Sequence, residues 1–156
     1  MATEQTDPDP TSPPVASSLR LLDMPPRLIE TLTRFETAHR RRSTDEMRAC
    51  FHDQALIESV ASDGRALGAD ETAQALQRAL TDGVYAIGDW EYEEITPDVV
   101  LSSTGARHRL VDEGMRDGTV WRLIVGRAGL MWRVKLFGNR HDALAHLRRY
   151  GADLGL

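Results

Sequence analysis

At Gly83 the hydrophobic period of this chain changes from mainly helical to alternating. Before that point apolar residues recur mainly at three- and four-residue spacing, with one strand-like stretch at 55–60; from Gly83 to about residue 137 they alternate with polar ones. The first spacing gives one stripe along a helix, the second one face of a pleated strand. A chain with its helices first and then four successive strands joined by turns does not read as repeated parallel βαβ units. It predicts an antiparallel meander with helices gathered on one sheet face, which is an α+β fold.

Local signals place the elements. Asp23-Met24-Pro25-Pro26 followed by Leu28, Ile29, Leu32 and Phe35 predicts a first helix with one apolar stripe, its prolines falling where backbone N–H groups lack partners anyway. Ser43-Thr44-Asp45-Glu46 has the form of a capping box and opens a short second helix that buries Met47, Cys50 and Phe51. Residues 55–60 read as a strand stopped by Ser62-Asp63-Gly64, and 70–80 as a third helix with Ala73, Leu76 and Leu80 on one face. Strands follow at 90–96, 99–111, 119–127 and 130–137, the last two closed into a hairpin near Gly126-Arg127-Ala128-Gly129. Asn139 and Asp142 open a last helix running to Tyr150, with Leu144 and Leu147 as its apolar contacts.

Composition divides the chain and excludes partners. Of the 7 prolines only Pro97 lies beyond position 26, and residues 3–18 are mostly Pro, Ser, Thr and acid. Such a segment has too little to bury to offset its ordering entropy. Residues 1–22 are therefore expected to be a disordered tail, 23–150 one domain and 151–156 a C-terminal tail. Glu4, Asp7, Asp9 and Asp23 against Arg20 give the first 26 residues −3 of the net −5, so the domain is nearly neutral. With 19 Lys and Arg against 24 Asp and Glu there is no cationic excess for a nucleic-acid groove. His39-Arg40-Arg41-Arg42, the one basic run, falls where a helix should end and complements its dipole. No apolar run approaches the ~18 residues of a membrane span, and no signal-peptide core is present. Cys50 stands alone and no Cys/His cluster has zinc spacing, so no disulfide, metal or other cofactor is expected, and a cytoplasmic location is. Asp112-Glu113-Gly114-Met115-Arg116-Asp117-Gly118 lacks the alternating ligands of a calcium loop and reads as a hairpin turn.

The order of elements, with Phe51-His52-Asp53-Gln54-Ala55-Leu56-Ile57-Glu58-Ser59-Val60 leading to Leu67-Gly68, resembles the nuclear transport factor 2-like superfamily. Within it the chain looks like the SnoaL-type polyketide cyclase and ketosteroid isomerase branch. Ala128-Gly129-Leu130-Met131-Trp132-Arg133-Val134-Lys135-Leu136-Phe137-Gly138 fits the same pattern, and the resemblance covers about residues 26–147. It implies a conical α+β barrel, a strongly curved antiparallel sheet wrapped around about three helices, with a deep apolar pocket. The isomerase mechanism needs a carboxylate base and two donors to the enolate oxygen. Ungapped matching puts Phe35 and Trp121 at the donor positions and Ser59 at the base position, so all three groups are replaced. Limonene epoxide hydrolase is another relative. The resemblance implies an Asp-Arg-Asp set there; the matching positions hold Arg109, Arg107 and Leu136, and neither carboxylate is present.

Strand alternation predicts the pocket lining without reference to a family. Trp121, Leu123 and Val125 share one face, as do Trp132, Val134 and Leu136, leaving Arg122, Arg133 and Lys135 for the convex, solvent side. On 99–111 the more apolar set Ala106, His108 and Leu110 is expected inward. Phe35 and His39 stand one turn apart on the first helix, and the other strands add Ile57, Ser59, Trp90 and Tyr92. The expected interior is an aromatic cone with a few polar points.

Three functions follow from this. The chain binds a small hydrophobic molecule and lacks the family's catalytic residues. Alternatively, it is an isomerase- or cyclase-like enzyme with His108 as acid/base and Ser59 beside it. Or it is a homodimerising or partner-binding module whose convex face presents Glu91 and Glu93 with Arg122, Arg133 and Lys135.

Overall fold

The computed structural model describes residues 25–82, 85–108 and 119–151, with the side chains of 85–89 and 105–108 excepted. The proline-rich segment, the 112–118 turn and the last five residues lie outside this description. Helix α1 (Leu28–Arg40) and the short α2 (Thr44–Arg48) lead into β1 (Phe51–Glu58). A 3-10 turn (Val60–Ser62), the two-residue β2 (Ala66–Leu67) and α3 (Ala69–Thr81) follow. Then come β3 (Tyr85–Thr96), β4 (Val99–His108), β5 (Thr119–Arg127), β6 (Leu130–Phe137) and α4 (Arg140–Tyr150). Mixed α+β architecture with one curved, unclosed six-stranded sheet is the outcome.

The helix ends follow from their sequence. The Ser43 hydroxyl accepts from the Glu46 N–H at 3.3 Å, and the Asn139 side chain accepts from the Asp142 N–H at 2.8 Å. Each satisfies one of the donors that a first helical turn leaves without a partner. Pro25 and Pro26 fall just before α1, ahead of its N-cap Arg27, not inside the first turn. At the β5–β6 hairpin Ala128 and Gly129 take φ of 53° and 73°. A Cβ on Gly129 would lie 1.9 Å from the Pro26 carbonyl oxygen, so the turn and the entry to α1 together require glycine there.

Strand order is β2-β1-β6-β5-β4-β3. The four strands after Gly83 form the expected antiparallel meander, but β1 joins β6 in parallel, so the sheet is mixed. Two strands start earlier than alternation indicates: β1 at Phe51 and β3 at Tyr85. In β1 the reason is visible, since Asp53 and Gln54 are exposed and the pairing to β6 is irregular between Phe51 and Leu56.

Helices pack on both faces of the sheet. α1 and α3 pack one side, forming the main core with Leu32, Phe35, Ile57, Leu76, Val100, Ile124 and Val134. On the other, Val99, Leu123 and Val125 pack with Trp132, Phe137 and Leu147, the last brought by α4. This corrects the expected orientation of the hairpin. Leu123 and Trp132 belong to the cluster under α4, and strand alternation carries Trp121 to the same face as Leu123. Arg122 turns toward the main core instead of toward solvent. The cause is twofold. Both faces of β5 carry apolar residues, Val120 and Ile124 on one and Trp121, Leu123 and Val125 on the other, so the pattern alone does not decide which face α4 covers. Gly126 pairs Met131 whereas Val125 pairs Arg133, leaving Trp132 as an extra residue that reverses the alternation along β6.

Candidate functional site

The concave side holds a cavity of about 50 Å³ between α1 and the sheet. α1 contributes Leu32 and Phe35, β1 Ile57 and Glu58, and β3 Trp90 and Tyr92. Ser102, Arg122, Ile124, Met131 and Val134 complete the wall from β4, β5 and β6. Five residues expected there, Phe35, Ile57, Trp90, Tyr92 and Val134, thus meet around one space. Leu136 packs against the main core beside it.

Aromatic rings from α1 and β3 pack together beside this cavity. Phe35 stacks on His39 at 5.7 Å between centroids and on Trp90 at 5.4 Å, and Tyr92 stands edge-on to Trp90 at 6.5 Å. His39 is buried in this stack, one helical turn behind Phe35. Burial, helped by the positive charge of Arg122, pushes its imidazole down to about 4, so it is neutral at pH 7. The Tyr92 hydroxyl donates to Glu36 Oε2 at 3.1 Å. Burial first, then the Glu36 charge, raises that phenol well above its ordinary range.

The charged groups differ in how they are answered. Glu58 is held at the rim, accepting from Lys135 Nζ at 3.2 Å and from the Leu136 N–H at 2.9 Å. Arg122 Nη1 donates to Thr104 Oγ1 at 2.7 Å, and its guanidinium lies 5.7 Å from the Trp90 ring centre. Among the described residues it forms no ion pair. The indole N–H of Trp90 is buried without an acceptor there. Sequence reasoning missed Arg122. The signal was its place between Val120 and Ile124, both apolar at the same parity, outweighed by the equally apolar Trp121, Leu123 and Val125.

The two proposed catalytic residues do not meet in a described site. Ser59 caps the 3-10 turn, its hydroxyl 3.2 Å from that of Ser62. His108 ends β4, paired with Tyr85, and its side chain lies outside the described residues. Strands β1 and β4 are separated in the sheet by β6 and β5. Among the described residues no group of three or more His, Cys, Asp and Glu could hold a metal ion, and no helix is long and apolar enough to cross a membrane.

A larger depression, about 380 Å³, lies away from the concave face between α1, α2 and Leu130. Cys50 lines it, but burial pushes the thiol up to about 11, and the sulfur sits 3.4 Å from the Glu46 carbonyl oxygen. A thiol held protonated at neutral pH is a poor nucleophile.

This architecture is shared with solved structures. A candidate polyketide cyclase from Sinorhizobium meliloti matches with a TM-score of 0.55 at 15% identity, over 69% of this chain and 94% of that one. A nuclear transport factor 2-like protein from Burkholderia thailandensis matches at 0.52 and 15% identity, over 71% and 89%. An epoxide hydrolase of the limonene type from Mycobacterium tuberculosis matches at 0.51 and 16%, over 78% and 90%. No protein-family model and no curated protein sequence matches. The chain has the nuclear transport factor 2-like fold, the fold these cyclase and hydrolase structures also have. At such identities the likeness is one of fold, and the chemistry has to come from the site.

Proposed function

We propose that the chain binds a small hydrophobic molecule on its concave face and does not run the acid–base chemistry of the enzymes it resembles. The cavity walled by Phe35, Trp90, Tyr92 and Val134 carries this reading. At about 50 Å³ it is far below the ~300–1,000 Å³ of pockets that enclose drug-sized ligands. Its occupant is therefore a compact molecule, or one end of a longer one.

The titratable groups around it support binding over turnover. Glu58 is committed to Lys135, Tyr92 to Glu36, and His39 is packed between aromatic rings. Phe35 brings no hydroxyl, Ser59 closes a turn, and Trp121 lies on the face away from the cavity. The isomerase- or cyclase-like alternative rests on His108 alone.

A thermal-shift series graded in size, from xenon through benzene to toluene, tests the binding reading. Ligand that binds only the folded state raises its stability as RT ln(1 + [L]/Kd). At least one member should raise Tm; no shift across the whole series would sink the proposal.

A further inference from the structure

We infer that the ligand of this cavity carries a carboxylate, received by the Arg122 guanidinium and the Trp90 indole N–H. This rests on the binding reading above and adds the charge of the ligand to it.

Arg122 is the one cation lining the cavity among the described residues. A guanidinium presents five N–H donors in a planar fork. The described contacts of this one are a hydrogen bond to the neutral Thr104 hydroxyl and the face of Trp90. The carboxylates in reach are engaged elsewhere: Glu58 by Lys135 and the Leu136 N–H, Glu36 by Arg40 and the Tyr92 hydroxyl. The Arg122 charge also acts across the cone, lowering the His39 pKa after burial has done most of that work.

Trp90 supplies the second donor. Its N–H is buried, has no acceptor among the described residues, and belongs to a side chain that lines the same cavity. Buried polar groups in folded proteins are nearly always paired, so an N–H without an acceptor among the described residues, beside a cation without an ion pair there, invites an acceptor from outside. A carboxylate meets both needs, because it accepts from a guanidinium and from a second N–H at once. The volume agrees: about 50 Å³ is less than two waters' share of liquid volume, ~30 Å³ each. That admits a carboxylate head and leaves its apolar stem at the cavity mouth. A phosphate dianion would call for a second cation, and the described lining holds none.

The test uses the full chain labelled with ¹⁵N, its indole N–H signals assigned by elimination with Trp121→Phe and Trp132→Phe. It is titrated at pH 7 and constant ionic strength with propionate and with propionamide, an uncharged compound of the same shape. The Trp90 indole proton should move downfield saturably with propionate, with a Kd at least about tenfold below that for the amide. Arg122→Gln should remove at least that tenfold, and Arg122→Lys should keep part of it.

Equal affinity for acid and amide would overturn the inference, and that comparison needs no variant. So would unchanged propionate binding by Arg122→Gln, or a response confined to Trp121 or Trp132. If the neutral size series binds and the acid has no advantage, the charge inference falls and the pocket reading stands. Acid binding without any neutral binding supports the inference and removes the hydrophobic reading. If neither class binds, both fall.

Discussion

Trp90 and Trp132 occupy the two faces of one sheet, and each has a buried indole N–H with no acceptor among the described residues. Each also lies near arginine. The difference is in what surrounds them. Trp132 is sandwiched between Arg127 at 3.8 Å and Arg133 at 3.9 Å, both guanidiniums stacked over its ring. Trp90 has ring neighbours on its faces, a single guanidinium at 5.7 Å and a cavity alongside. An open N–H therefore does not define a site by itself. It becomes one beside space and a charge without a counterion, and among the described residues Trp90 has both.

The largest expected effect separates the two rings by their packing. Trp90→Ala removes the centre of the aromatic stack and should cost about 3–5 kcal/mol in chemical denaturation. Trp132→Ala should cost clearly less, because its cluster is small and part of its contact is with arginine guanidiniums. A reversed order would break the comparison.

A pH effect comes next, and its larger part belongs to the inner face, although burial, then the Lys135 charge, also lowers His146 on the outer one. His39 is held at about 4 in the folded protein against 6.5 for the free side chain. The unfolded chain therefore binds the extra proton first, so this stability is complete above about pH 6.5 and is lost as pH falls toward 4. At ~1.4 kcal/mol per pKa unit, the loss is about 3 kcal/mol. Urea midpoints at pH 7.5 and 4.5 should show it, and His39→Gln should flatten that part of the slope. An unchanged slope in the variant would assign the acid sensitivity to other groups.

Smaller and opposite in sign are the arginines. Arg133→Met gives up a cation–π contact on the outer ring and should lose about 0.5–1 kcal/mol. Arg122→Met removes a charge with no counterion among the described residues and should gain about 0.5–1 kcal/mol in the unliganded protein, as groups kept for binding often permit. Two losses of equal size would mean Arg122 is a structural residue like its outer counterpart. Least of all, Arg140→Ala breaks an exposed ion pair to Glu93 and should leave the denaturation midpoint where it was.

Local signals in the sequence were sufficient for the order of the longer elements, though not for the 3-10 turn or the two-residue β2. Ser43 and Asn139 cap the helices they were expected to cap, the Ala128-Gly129 turn closes the hairpin, and the change of period at Gly83 marks the start of the meander. Local signals were insufficient for β1 before residue 55, where exposed Asp53 and Gln54 leave no apolar alternation to read. They also failed for the direction of β5. Its alternation is apolar on both sides, and the choice depends on α4, packed from residues that follow it in the chain. A single extra residue at Trp132 then shifted the remainder of β6. The candidate site inherits that ambiguity: its walls from α1 and β3 were legible, while Arg122 was assigned to the wrong face.

The parallel union of β1 with β6 has a consequence during synthesis. Glu58 and Lys135, which clasp those strands, are 77 residues apart. At ~5–20 residues per second a ribosome needs about 4–15 s to deliver the second after the first. Throughout that interval Phe51, Ala55 and Ile57 have no β6 to cover them, and beyond its two-residue contact with β2 the strand edge is open to other chains. Slower translation of the meander would lengthen this exposure, making yield in the cell sensitive to elongation rate and to chaperones that hold nascent strands.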